Sequence, residues 1–362
     1  MRSKSKKLSQ RELNRTLLDR QLLLAPAKVK AAKALERLVA LQAQVASPPY
    51  FGLWARVDGF TPSDLMKLRD QGKVVRAALL RSTLHWVTAA DYAWIRPVVQ
   101  SALERAWQGF FGARKSGIAV TPLCDAAREI LSGGPISLSA LSDVLLQHFP
   151  AWNKQAMEYG VRTHLPLVQV SPAGSWKGGT AARYELAQVD AETDMARLVR
   201  SYLAAFGPAT PKDIAAWAGF TAIGKTLEAM RDELATYSDE TGRLLYDLPK
   251  AQIMDGTAAA PLRFLAEYDN LILAHADRSR IVPEVHRKQV FLGAGRVRAT
   301  VLADGFVAGT WKLEKDKRLT RLIVEMFGKQ PKAVRDAIQA EGERLLQFVE
   351  AGQCQLDVRW IV

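Results

Sequence analysis

Apolar positions along this chain switch between helical and strand-like spacing in three successive sets. In the first, Leu13, Leu17, Leu18, Leu22 and Leu23 recur at intervals of three and four, the spacing of a helix. A second helix is expected over 27–44, with Val29, Leu35, Leu38, Val39 and Leu41 as its apolar positions. Thr61-Pro62-Ser63-Asp64 opens a third, with Thr61 as cap and Pro62 in the first turn. Residues 74–80 and 83–87 then read as strands, and 91–110 returns to helix. The second set has helices over 122–132, 138–148 and 152–165. Strands at 167–170 and 183–186 follow, joined by a Gly/Ser loop that carries Trp176 and Lys177. The third has a helix over 192–206, a Gly207-Pro208 turn, and a helix capped by Thr210 that stops at Gly219. A further helix over 222–235 and a strand at 244–248 complete it. Helices running into strand–turn–strand read as winged helices, in which a helix–turn–helix sets its second helix in a duplex groove.

Past a linker near 255–260 the pattern changes to short strand-like runs at 262–265, 271–274, 289–292, 297–302 and 305–311. Asp304-Gly305 between the last two is a strong hairpin signal. A helix over 331–349 and a strand over 354–361 end the pattern, giving a small β-barrel or an open sheet closed by the helix. The class expected is α+β, with tandem winged helices at 1–117, 118–190 and 191–256 and a C-terminal unit at 257–362.

Charge narrows the partners. The net charge is +13, concentrated in 1–37 (eleven Lys/Arg against three acids), 278–298 (six against one) and 312–335 (eight against three). Such clusters suit phosphate neutralisation with counterion release. Several chemistries are excluded in turn. The chain has no phosphate-binding loop and no nucleophile elbow. His85, His148, His164, His275 and His286 lie far apart, and Cys124 and Cys354 share no motif spacing, so no metal site and no cofactor are expected. The absence of a long apolar run and of a secretory leader points to a cytoplasmic, nucleoid-associated protein without membrane contact.

Three polar clusters remain as candidates for chemistry. Gln42-Ala43-Gln44 precedes Ser47-Pro48-Pro49. On a regular helix two residues two apart are about 200° apart, so the glutamines converge only if the helix unwinds there, as the prolines favour. Arg81-Ser82-Thr83-Leu84-His85 sits on an expected strand, and Tyr268–Arg280 holds a third group with His275, Arg278 and Arg280. Arg296 and Arg298 flank an expected hairpin, and Lys177 sits in the wing loop; these are candidate DNA contacts with Arg278 and Arg280.

These motifs, in this order along nearly the whole chain, resemble the AlkZ/YcaQ group of helix-turn-helix DNA glycosylases, whose members carry Gln-x-Gln or Gln-x-Asp in the first winged helix. The resemblance implies three tandem winged helices around a basic DNA channel and a C-terminal β-barrel. It also implies monofunctional excision of alkylated purines from double-stranded DNA, in some members including bulky or cross-linked guanine adducts. Carried over residue by residue, Gln42 and Gln44 position water and stabilise the transition state, and Arg81, Thr83 and His85 contact lesion or backbone. With Gln44 in place of Asp, no carboxylate opposes the sugar cation, which favours adducts at guanine N7 or adenine N3 that already carry positive charge. The rival reading is a non-catalytic winged-helix DNA-binding protein or transcription regulator. Regulators of that kind pair two units as a dimer, whereas three units in one chain without a dimerisation heptad favour a monomer around one duplex.

Overall fold

The computed structural model describes residues 6–176, 178, 181–293, 295–315, 319–349 and 353–361; Lys177 lies outside them. Helices and sheets are mixed throughout, and no helix among the described residues is long and apolar enough to cross a membrane. Ser9 and Glu12 form a reciprocal cap on the helix Gln10–Arg20. Two of the three arginines of this helix, Arg15 and Arg20, turn inward. Arg15 is fully buried and meets Asp304, and Arg20 makes a two-pronged pair with Asp247 at 2.7 Å and 2.7 Å. Part of the N-terminal basic excess therefore staples the fold together instead of facing a polyanion.

A six-stranded sheet runs through the first two sets in the order Leu41–Gln42, Leu84–Thr88, Val74–Ala78, Leu167–Gln169, Arg183–Leu186, Ile136–Ser137. Arg76 pairs with Gln169 and Ala77 with Val168, so the two sets share one continuous sheet. The second set keeps its own apolar core, around Leu123, Leu141, Leu145 and Val161. In the third set Thr210 and Asp213 cap the helix Pro211–Ala218 reciprocally, and Gly219, at φ 85°, ends it. The helix expected over 222–235 is shorter, Gly224–Ala229 followed by a tight turn. Ala235–Ser238 and Leu244–Asp247 form the hairpin, and Lys6–Lys7 adds to its edge. A larger core joins the first set, the third set and the C-terminal part.

The C-terminal unit is not a closed barrel. Its five strands form an open sheet: Arg263–Leu265, Thr300–Ala303, Phe306–Lys315, Leu319–Phe327 and Gln353–Ile361. The last two are parallel, joined through the helix Lys332–Phe348, so the final strand lies at an edge and never reaches the first. Of the runs expected as strands, 271–274 falls mostly in a single helical turn, Asn270–Leu273, and 289–292 starts in another, Arg287–Val290, before Phe291 bridges to Val297. The Asp304-Gly305 hairpin forms as expected, with φ of 47° and 79°. Its turn docks on the N-terminal helix so closely that a Cβ on Gly305 would lie 2.5 Å from Arg15 Nη1 and from Asn14 Oδ1.

Candidate active site

Gln42 and Gln44 are not on a helix. The helix Ala31–Leu38 ends at Val39, whose φ of 67° turns the chain out of helical geometry. Asn270 Nδ2 fixes this switch by donating to the carbonyls of Leu38 (3.3 Å) and Ala40 (2.6 Å). The chain continues as the strand Leu41–Gln42, antiparallel to Leu84–Thr88, with Leu41 opposite Trp86 and Gln42 opposite His85. Ala43 N–H prolongs the ladder by donating to Leu84 O at 2.6 Å. Side chains alternate along extended backbone. Leu41 and Ala43 therefore enter the core while Gln42 and Gln44 share the other face, and a cross-strand neighbour such as His85 shares it with them. Convergence of the amides needs no unwound helix, because there is no helix at this point.

Each amide is held by its oxygen. Arg81 Nη2 donates to Gln42 Oε1 at 2.8 Å, and Leu84 N–H donates to Gln44 Oε1 at 3.1 Å. Guanidinium and backbone N–H are donors only, so the chemistry itself fixes which end of each amide points where. Among the described residues no side chain or backbone group engages the second lone pair of either oxygen or either NH₂ group. Arg76 Nε and Nη2 donate to Ala43 O at 3.0 Å and 2.6 Å, clamping the residue between the two glutamines. Gln42 is half-buried and Gln44 exposed, so the pair faces outward at the sheet edge.

Arg81 does not lie on a strand. It and Ser82 form a tight turn with φ of 52° and 58°, conformations that L residues adopt only when their surroundings enforce them. The enforcement comes from the third set: Arg81 Nη1 donates to Trp217 O at 2.5 Å, at the C-terminal end of the helix Pro211–Ala218, where unpaired carbonyls favour a cation. A Cβ on Gly219 would stand 3.1 Å from Arg81 Cα, so the glycine that ends this helix also admits the turn. Burial lowers the Arg81 guanidinium to about 10, with Arg278 adding like charge, and it stays cationic at neutral pH.

His85 is 1% exposed and its Nδ1 donates to Thr83 O at 2.9 Å, leaving Nε2 as an acceptor. Burial, then the charge of Arg81, lowers it from 6.5 to about 3. His275, also buried, is lowered to about 3 by burial and by Arg280. Between those limits the unfolded chain binds more protons than the folded one, so stability is complete above about pH 6.5 and falls as pH drops towards 3. By about pH 5 the loss from His85 alone is about 2 kcal/mol. Urea midpoints at neutral and mildly acidic pH should show that fall, reduced in His85→Gln, and a pH-independent midpoint would contradict it.

Among the expected DNA contacts, Arg81 and Thr83 are half-buried beside the motif strand, with Thr83 Oγ1 donating to Leu80 O at 3.2 Å, whereas His85 is buried. His85 is enclosed, and Arg81 serves Gln42. Arg280 is buried and donates to Pro208 O at 2.9 Å, and its guanidinium lies beside His275; it holds the core instead of facing a duplex. Arg278 covers the Phe291 ring at 4.1 Å, and Arg298 pairs with Glu325 at 2.5 Å. Arg296 is exposed. Arg76 carried no motif, and Asn270 lay inside the Tyr268–Arg280 group without a role of its own. The signal for Arg76 was a cation inside the apolar run Val74–Leu80, a position that demands internal partners. Among the described residues no three His, Cys, Asp or Glu side chains come together as metal ligands.

Fold and site together define a mixed α+β protein that presents two oriented amides, with a fixed cation behind one of them, at the open edge of a sheet. The DNA glycosylase AlkZ-like family model matches residues 35–348, most of the chain, and the chain belongs to that family. It is therefore a hydrolase acting on DNA. A curated relative from Streptomyces sahachiroi, described as an interstrand DNA cross-link repair glycosylase, is 23% identical, the match covering 98% of this chain and 99% of its own length. The solved structure of Streptomyces sahachiroi DNA glycosylase AlkZ shares the fold with a TM-score of 0.81 at 20% identity, over 98% of this chain and 100% of that one.

Proposed function

We propose that this protein hydrolyses the N-glycosidic bond of cationic alkylated purines in double-stranded DNA, N7-alkylguanine and N3-alkyladenine, and extends to bulky adducts and interstrand cross-links. The observation that carries this reading is the pair of amides on one strand face, each oriented through its oxygen and open at its remaining polar atoms. An alkylated, positively charged purine leaves readily, so a strong general acid is not needed. As the C1′–N bond breaks, its electron pair neutralises the base and the sugar becomes oxocarbenium-like. Water adds to C1′ and loses its proton to solvent. The free lone pairs of Gln42 and Gln44 receive water hydrogens and oppose the sugar cation, while the NH₂ groups fix the position of substrate oxygens. Arg81 acts as a positioning residue.

In this reading the three helix-plus-hairpin sets, 1–117, 118–190 and 191–256, are winged helices that line a basic channel, and the 257–362 unit completes it. One chain acts on one duplex as a monomer, in the cytoplasm at the nucleoid. The motif has no lysine to form a Schiff base, and no step requires a metal.

The test is a duplex with a single N7-methylguanine, incubated with the protein in excess EDTA. Free base and an intact abasic strand are expected, with nothing trapped by borohydride. No release, or release that requires added metal, would overturn the reading.

A further inference from the structure

The helix Gln100–Phe111, which leads from the first set into the second, ends in two aromatic residues with different surroundings. Phe111 is half-buried, whereas Phe110 is 61% exposed. A single bare ring is common on a surface, so its neighbours decide what it means. Three rings beside it each carry a cation. Lys115 lies 4.9 Å from the Trp107 ring and Arg114 lies 4.8 Å from that of Phe111. Arg162 lies 4.3 Å from the ring of Tyr159, both on the helix Lys154–His164. Among the described residues no cation covers Phe110, and its one aromatic neighbour is Tyr159, with centroids 5.7 Å apart and planes at 65°.

The cations differ from those of the core. Arg15, Arg20 and Arg56 are paired with carboxylates inside the fold. Among the described residues no carboxylate pairs with Arg105, Arg114, Lys115 or Arg162, although Glu104 and Glu158 stand on the same two helices. Glu104 instead turns to Gln100 and His164. A free aromatic face ringed by uncompensated cations suits a nucleic-acid strand, whose phosphates neutralise the charge while a base stacks on the ring. An apolar protein partner would bury these cations without counter-charge. A base inside a duplex has both faces covered by its neighbours, so the base that reaches Phe110 is one that has left the stack.

This surface adjoins the amides. The helix Gln100–Phe111 packs on the tight turn of Arg81 and Ser82. Tyr159 Oη and Ser82 Oγ share a hydrogen bond of 2.8 Å. Arg105 Nη2 donates at 2.8 Å to the carbonyl of Gly219, the glycine that admits the turn. Arg81 in its turn holds Gln42. We infer that Phe110 is a stacking platform for an unpaired base of the DNA, flanked by Arg114 and Arg162 as phosphate contacts, beside the turn that orients Gln42. This assignment requires only that DNA is the substrate, which family membership supplies, and holds whichever lesion is excised.

The experiment is equilibrium binding of undamaged DNA, so its failure leaves the excision reading untouched. Two duplexes of one sequence are compared, one fully paired and one with a single extra, unpaired adenine. Wild type is expected to bind the second about tenfold more tightly, the worth of one base–aromatic stack. Phe110→Ala and Phe110→Leu should lose that preference, and Phe110→Trp, which keeps a flat face, should retain it. Arg114→Gln and Arg162→Gln should weaken both duplexes alike, each lowering the slope of log affinity against log salt by about one. Equal wild-type affinity for the two duplexes, or a preference that survives in Phe110→Ala, overturns the platform. A preference that Phe110→Leu retains also overturns it, because an apolar wedge needs no flat face. Salt slopes unchanged in both arginine variants overturn the phosphate contacts.

Discussion

Gln42→Ala is expected to slow single-turnover release of N7-methylguanine by about 10²–10³-fold, the size found when one preorganised polar group is removed from beside a developing charge. Gln42 is the amide that Arg81 holds at 2.8 Å, so truncation removes a group whose orientation is already fixed by the fold. It also leaves the Arg81 guanidinium without one of its acceptors, close to where the proposed reaction places the sugar cation. DNA affinity should hardly change, because phosphate contacts dominate it. Rapid-quench kinetics at saturating protein, beside a binding titration, separate the two quantities. A rate loss matched by an equal loss of affinity would count against a role in the chemical step.

Asp269→Ala is expected to destabilise the fold by about 3–5 kcal/mol, the range for leaving one member of a buried ion pair unpaired. Arg56 and Asp269 are 0% and 1% exposed, and their paired contacts are 2.7 Å and 2.8 Å long. Arg56 also donates to Gln21 O at 3.0 Å and Gly52 O at 2.9 Å, so this one guanidinium joins two segments of the first set to the C-terminal part. Asp269 accepts from Leu271 N–H at 2.9 Å and thereby starts the turn that carries Asn270 to the carbonyls of Leu38 and Ala40. Urea unfolding measures the effect, and a change below about 1 kcal/mol, the scale of exposed pairs, would show that the pair is not sealed from water.

The parts of the fold legible in the sequence were those with local causes. Thr210-Pro211, Thr61-Pro62 and Asp304-Gly305 announce caps and a turn through chemistry complete within four residues, and each appears where expected. The runs at 271–274 and 289–292 were misread because so short an apolar stretch cannot distinguish a helical turn from a buried strand. Sheet closure was misread because it depends on strand order: Leu319–Phe327, hidden in a basic stretch, takes the final strand in parallel and leaves the sheet open. At the site, the glutamine motif was legible but its geometry was not. Apolar periodicity carries the helix through Leu41, whereas Asn270 and Arg76, far away in sequence, hold the segment extended.

The strand that bears the amides is the outermost of its six-stranded sheet. A rim, unlike a closed pocket, sets no upper limit on the girth of what is brought to it. In the proposed reaction, an enzyme built so selects by how easily the base departs instead of by how well it is swallowed, and a base tethered to the opposite strand would meet the same two amides as a base that is free.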